Sequence, residues 1–210
     1  MINTVTDTEI TLESARGYEQ RRFAGKRRGR RLDRLEKDFA AHLFQKIGPG
    51  ACVLDIPCGN GRFFPIFSNA KQLTMADYSP HMLQACQERF GKPEQVTYIQ
   101  ADISSIPLSD RCVDLCFCMR LFHHMKNDEV RSSALRELTR VSKKYVALSF
   151  YNKNRFRYYK KVIRGKKPRG NYITLTHLKN LAQQAGLRYI EHTPKFNWIE
   201  QQCMALFEKV

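Results

Sequence analysis

Apolar positions along the chain follow two alternating rhythms. Through RLDRLEKDFAAHLFQKI, Leu32, Leu35, Phe39, Leu43 and Phe44 recur at helical spacing, which predicts an amphipathic helix ending near Gly48-Pro49-Gly50. A short apolar run, ACVLDI (51–56), then enters a glycine-containing turn, and a helical stretch follows over 62–68. The unit repeats. QLTMAD (72–77) predicts a second strand, and Ser79 caps a helix with Pro80 at its first position and Met82, Leu83, Cys86 and Phe90 on one face. VTYIQAD (96–102) predicts a third strand. VDLCFCM (113–119) predicts a fourth, continuous in apolar residues as a strand covered on both faces should be. Asn127 caps a helix that turns Val130, Ala134, Leu135, Leu138 and Val141 inward, and KYVALSFY (144–151) predicts a fifth strand. One more helix spans 176–185 and is stopped by Gly186. Two further strands, LRYIEHT (187–193) and CMALFEKV (203–210), have no helix between them. Alternation followed by a terminal hairpin predicts an α/β fold. Its sheet is Rossmann-like, doubly wound and seven-stranded, mostly parallel with a C-terminal antiparallel strand.

Charge changes the picture at two places. The formal net charge is +16. Residues 16–31 hold eight Lys or Arg against the single acid Glu19, and residues 153–169 hold nine against none. Outside these segments basic and acidic residues are equal in number. The chain therefore reads as a basic N-terminal arm over 1–31, partly flexible, followed by a single domain over 32–210. Such patches attract polyanions: nucleic acid, a phosphorylated glycolipid or saccharide, or an anionic membrane surface touched peripherally. The same charges suit a solvated arm and loop that only aid solubility. Phe156, Tyr158, Tyr159 and Tyr172 interleave the second patch, an arrangement that fits stacking on bases or sugars and equally fits a helix packed on the core.

No apolar run reaches the length that spans a bilayer, and the start of the chain lacks the basic and apolar regions of an export signal. A cytoplasmic protein is expected. Seven cysteines in a reducing compartment predict free thiols, and without any CxxC pair they read as core or strand residues rather than metal ligands.

Ligands of such sheets sit beyond the carboxyl ends of the strands, which directs attention to the first strand-to-helix turn, VLDIPCGNGRF. Gly59 and Gly61 let backbone approach a ligand, and Asp55 at the strand end can orient the loop or accept from an amine. Asp77 closes the second strand, where an acid can accept both hydroxyls of a ribose. Asp102 closes the third, where a carboxylate can take the exocyclic amine of a base. Each acid also has a plain structural use: Asp55 as a cap, Asp77 as a turn former, Asp102 as the cap of the segment after it. Three strand-end carboxylates suit a positively charged nucleoside better than a pyrophosphate, and Phe64 stands where a dinucleotide loop needs its third glycine.

On VLDIPCGNGRF, MADYSPHML, ADISSIPLSD and VDLCFCMRLFHHM, in that order and spacing, the chain resembles the class I S-adenosylmethionine-dependent methyltransferases, in particular the small single-domain methyltransferase type 11 group. The likeness is good over residues 50–150 and loose elsewhere. Pro57 departs from the glycine usual there in the group, and it cannot donate an amide. The resemblance implies S-adenosyl-L-methionine as cofactor, with Asp55, Pro57, Gly59 and Gly61 around its methionine part. It further implies Asp77, Tyr78 and Met82 at the ribose, Asp102 and Ile103 at the adenine, and Cys118 and Met119 beside the sulfonium. The implied activity is transfer of a methyl group to an oxygen or nitrogen of a small-molecule or anionic glycolipid or saccharide acceptor. His123 and His124, directly after the fourth strand, are candidate catalytic bases. Arg120, Lys160, Lys161, Lys166 and Lys167 are candidate acceptor-binding residues. Two other readings stand beside this one: an RNA methyltransferase whose basic segments track phosphates, and a non-catalytic binding subunit built on the cofactor fold.

Overall fold

The structure is a computed structural model that describes residues 10–25, 27–165, 170–193 and 201–210. Lys166 and Lys167 lie outside the described residues. The sheet grows from a central strand, β1 (Cys52–Asp55), whose Val53, Leu54 and Asp55 are completely buried. Around it lie β2 (Gln72–Asp77), β3 (Val96–Gln100), β4 (Val113–Cys118) and β5 (Ser142–Asn152), followed by β6 (Tyr172–Ile173), β7 (Leu187–Thr193) and β8 (Gln202–Lys209). Their spatial order is β3-β2-β1-β4-β5-β8-β7, with β6 pairing with the end of β5. Strand β8 runs antiparallel to both β5 and β7, and every other pairing is parallel. The seven expected strands are thus present. The eighth, β6, is a two-residue pairing of Tyr172 and Ile173 with Tyr151 and Asn152, too short to leave a period in the sequence.

Helices cover both faces, which is why the central strands read as unbroken apolar runs. On one face α5 (Asp128–Val141) and α7 (Leu175–Gln184) bury Leu135, Leu138 and Leu178 against Cys116, Val146 and Phe207. On the other, α2 (Arg27–Ile47), α3 (Phe64–Phe67) and α4 (Pro80–Phe90) bury Leu43, Phe67 and Leu83 against Val53, Leu115 and Ala147. The caps read from sequence are made: Ser79 Oγ accepts from Met82 N and Asn127 Oδ1 from Val130 N. All seven cysteines are free.

The N-terminal segment differs from a boundary at residue 31. Helix α2 already starts at Arg27, because arginines are good helix formers when their charged face is solvated. Upstream, α1 (Leu12–Arg16) is capped by Thr11 and lays Ala15, fully buried, against Met82 and Ala85 of α4. Arg16 pairs with Glu88 at 2.8 Å, and Arg89 pairs with Glu19 at 2.5 Å. Between α1 and α2 the chain makes one π-helical turn, Gln20–Ala24, with Phe23 buried. The basic patch at 153–169 also has local structure, since Phe156–Ile163 form a helix, α6.

Candidate active site

The strand order reverses beside β1, and the turns leaving β1, β2 and β4 open there on one side. A cavity of about 480 Å³ fills this corner. Its walls include Pro57, Gly59, Asp77, Tyr78, Met82, Ile103, Met119, Arg120, His123 and His124, ten of the residues expected from sequence.

Asp55 lies beneath the cavity floor rather than on its wall. It is fully buried, and neither carboxylate oxygen has a hydrogen-bond partner. Burial pushes its pKa well above the usual carboxylate range, with a further push from Cys86 and a counterweight from Arg62. Such a group is costly unless something cationic or donating meets it.

Asp77 is better supplied. Its Oδ2 accepts from Gly59 N at 2.8 Å and its Oδ1 from Ser79 N at 2.9 Å, so it ties the glycine turn to the start of α4. Burial still raises its pKa to about 6, because desolvation outweighs these amide bonds. A carboxylate offers about four lone-pair positions, so two remain for a ligand.

The two glycines do different things. Gly59 (φ +56°) has open space where a Cβ would be, as a position facing a ligand should. Gly61 (φ +82°) faces the other way: a Cβ there would lie 2.5 Å from Cys86 Sγ and 2.6 Å from Phe90 Cε2. Its role is to let the turn pack onto α4, a correction to the expectation that both glycines approach the ligand.

Four other expected residues stand off the cavity. Asp102 Oδ1 accepts from Ser104 N and Ser104 Oγ at 2.8 and 2.7 Å, and its neighbours Ala101 and Ile103 reach the wall instead. Cys118 is buried in the core, since alternation along β4 turns it away while Met119 reaches the wall. Lys160 and Lys161 lie on α6. Lys161 Nζ is 3.4 Å from Tyr172 Oη, and a run of rings, Tyr172, Tyr151 and His123, lies between Tyr158 of that helix and the cavity. Lys160 and Lys161 are therefore not among the residues that line the cavity.

His123 is buried, stacked on Tyr151 with centroids 4.0 Å apart, and its Nδ1 has no partner. Burial, then the positive charges near it on His124, Arg120 and Arg22, lower its pKa to about 2. His124 is exposed, and its pKa is lowered by partial burial and by Arg120 and Arg22. The His123 imidazole is neutral at physiological pH.

Sequence reasoning missed the groups that close the site. Ile10, Ser14, Tyr18 and Arg22 come from the N-terminal segment and form one wall. Behind them Glu36, fully buried on α2, bonds Arg62 of the glycine turn, Arg120 Nη1 at 3.0 Å and Gln202 of β8. Asp33 adds a 2.8 Å pair to Arg62, whose guanidinium lies over the rings of Phe23 (4.4 Å) and Phe63 (4.1 Å). Glu36 in RRLDRLEKDF is one of three acids in that stretch, and only the fold supplies its partners from three separate elements.

Residues 54–150 match the methyltransferase domain family. That segment matches a methyltransferase domain, on a fold shared with class I methyltransferases. It is 29% identical over 133 residues to the tRNA (carboxymethyluridine(34)-5-O)-methyltransferase of Xenopus tropicalis, covering 59% of this chain and 19% of that protein. It is 31% identical over 117 residues to the malonyl-[acyl-carrier protein] O-methyltransferase of Serratia marcescens, covering 50% of this chain and 44% of that protein. The chain spans less than half the length of these curated relatives. In fold it is similar to the magnesium protoporphyrin IX methyltransferase of Synechocystis crystallised with S-adenosylhomocysteine. There the TM-score is 0.70 at 16% identity, over 99% of this chain and 92% of that one. Methyltransferases of this class use S-adenosylmethionine. Among the described residues no helix is long and apolar enough to cross a membrane, and no cluster of three or more His, Cys, Asp or Glu could hold a metal ion.

Proposed function

We propose that this domain binds S-adenosylmethionine and transfers its methyl group to an oxygen of an anionic acceptor. The observation that carries this reading is that one cavity joins two unlike ends. At one end lie the glycine turn, the carboxylate Asp77 with Asp55 buried beneath the wall, and the apolar pair Met82 and Ile103; at the other lie Arg22, Arg120, His123 and His124. The residues present fit the cofactor. The unpartnered oxygens of Asp55 suit its ammonium group, reached directly or through water, and the free lone pairs of Asp77 suit the two ribose hydroxyls. Tyr78, Met82 and Ile103 offer apolar faces for the adenine, and Met119 borders the space between the two ends.

When bound, the cofactor supplies an activated methyl on a cationic sulfur. What remains for this chain is alignment and exclusion of water. Tyr18 and Ile10 line the cavity together with the glycine turn, and Arg120, in a left-handed conformation (φ +63°), donates its backbone N–H to Ser149 Oγ at 2.7 Å. Two relatives support oxygen as the acceptor, since their names describe O-methylation of a carboxymethyl and of a malonyl group. An RNA acceptor is the second reading. It is favoured by the tRNA enzyme among the relatives and by Lys160 over the exposed ring of Phe156 with Lys153 over Tyr158.

Calorimetric titration with S-adenosylmethionine and S-adenosylhomocysteine tests the proposal. Binding is expected for the wild type and should weaken by about 2–3 kcal/mol in Asp77→Ala, as when a buried charged hydrogen-bond partner is removed. Equal affinity in the variant would take Asp77 out of the site, and absence of wild-type binding would refute the function.

A further inference from the structure

The acceptor end of the cavity has an unbalanced charge. Arg120 and Arg62 are matched within the protein by Glu36 and Asp33. Arg22 is not: it reaches the cavity wall and makes no ion pair among the described residues. The carboxylates of the cavity, Asp77 on the wall and Asp55 beneath it, both lie at the cofactor end. Arg22 owes its place to the π-helical turn at Gln20–Ala24, which slips one residue into the helical path, so that Phe23 enters the space between Arg62 and Arg120 while Arg22 faces the cavity. Such turns cost backbone regularity and are frequent at functional sites.

A second observation concerns protons. Methylating an alcohol or a protonated amine requires a group that takes up the proton. The polar side chains here are Ser14, Tyr18, Arg22, Arg120, His123 and His124. The arginines hold their protons. His123 is enclosed beside Arg22, Arg120 and His124 and stacked on Tyr151, surroundings that oppose a charge on its ring. It can orient a neighbour through Nδ1 but is a poor acceptor of a whole proton.

Resting on the methyltransferase reading, we propose that the atom methylated is an oxygen of a carboxylate, that Arg22 holds this carboxylate by its charge, and that the transfer needs no general base. The step balances without a proton. A carboxylate oxygen lone pair forms the new bond to the methyl carbon as the methyl–sulfur bond breaks, and that bond's electron pair stays on sulfur. An anion and a cation become a neutral ester and a neutral thioether. Arg22 is thus satisfied by the substrate and left unpaired by the product, which favours release. His123 and His124 become positioning residues in place of the candidate bases expected from sequence.

The test has two arms on the full chain, each preceded by calorimetry with S-adenosylhomocysteine. If that ligand fails to bind the wild type, the methyltransferase reading itself fails, an outcome distinct from failure of either arm. In the first arm, saturation-transfer NMR on the S-adenosylhomocysteine-loaded protein compares acetate and malonate with acetamide and malonamide. Saturation of the carboxylates is expected at least tenfold above that of the amides. It should fall to the amide level in Arg22→Gln, return in part in Arg22→Lys, and leave S-adenosylhomocysteine affinity within about twofold of wild type. Equal saturation of amides, none of carboxylates, or an unchanged Arg22→Gln overturns the proposal. In the second arm, methyl-tritiated S-adenosylmethionine is incubated with the protein and fractionated cell lysate, and the products are treated with alkali. Carboxyl methyl esters release volatile methanol, whereas ethers and methylamines do not. Volatile label is expected; label that stays non-volatile, or no volatile label with cofactor binding intact, overturns it.

Discussion

Replacing Gly61 with alanine separates two duties that a glycine turn can have. The added methyl would sit 2.5 Å from Cys86 Sγ and 2.6 Å from Phe90 Cε2, roughly 1 Å inside normal contact. Neither neighbour can retreat easily. Cys86 is fully buried on α4, and Phe90 is stacked on Phe64 with centroids 4.2 Å apart. Overpacking of this kind costs about 1–3 kcal/mol. The backbone at φ +82° adds about 1–2 kcal/mol for any residue with a Cβ. Together these give about 2–5 kcal/mol, or a fall in Tm of roughly 5–15 °C for a chain of this size. Gly59→Ala bears only the backbone cost, about 1–2 kcal/mol at φ +56°, because its methyl meets nothing within 4 Å. That methyl occupies ligand space instead. Thermal melts and calorimetry with S-adenosylhomocysteine on both variants should therefore show opposite signatures. Gly61→Ala should lose mainly stability and Gly59→Ala mainly affinity. A Gly61→Ala protein as stable as wild type, with only its binding lost, would refute the packing argument.

Asp77 makes the stability of the ligand-free protein pH-dependent. Its pKa is raised from 3.8 to about 6, so the folded state binds more protons than the unfolded one between these values, and stability falls as pH rises through that window, by up to ~3 kcal/mol. Urea unfolding at pH 4.5 and 7 should show this slope in wild type and a smaller one in Asp77→Asn; parallel slopes would remove Asp77 as its source. Glu36→Leu leaves the buried guanidiniums of Arg62 and Arg120 short of a counter-charge and should cost about 3–5 kcal/mol in the same assay, against which a loss below 1 kcal/mol would show the cluster to be dispensable. Lys160→Gln with Lys161→Gln should leave calorimetric cofactor affinity unchanged, since neither lines the cavity, while weakening retention on an RNA column at low ionic strength. Unaltered retention would mark α6 as an ordinary solvated helix.

Much of the fold was written in local pattern. Strands β2 and β7 coincide with the apolar runs at 72–77 and 187–193, and the caps at Ser79 and Asn127 need only neighbouring residues to form. The cofactor end of the site was legible for the same reason: Gly59, Asp77, Tyr78 and Met82 sit where strands end and helices begin, places that sequence marks with glycine, acid and cap. The acceptor end was not. Whether Arg22 is a solvated charge or a wall of the cavity depends on one π-helical turn and on the Glu36 cluster, which joins α2, the glycine turn, the residue after β4 and the start of β8. Gln202 lies 166 residues from Glu36, so no local period could announce their contact. Hydrophobic periodicity reports which face of an element is buried; the partner of a buried charge is decided only when distant elements pack, because Coulomb and hydrogen-bond energies depend on separations in space that the order of residues does not encode.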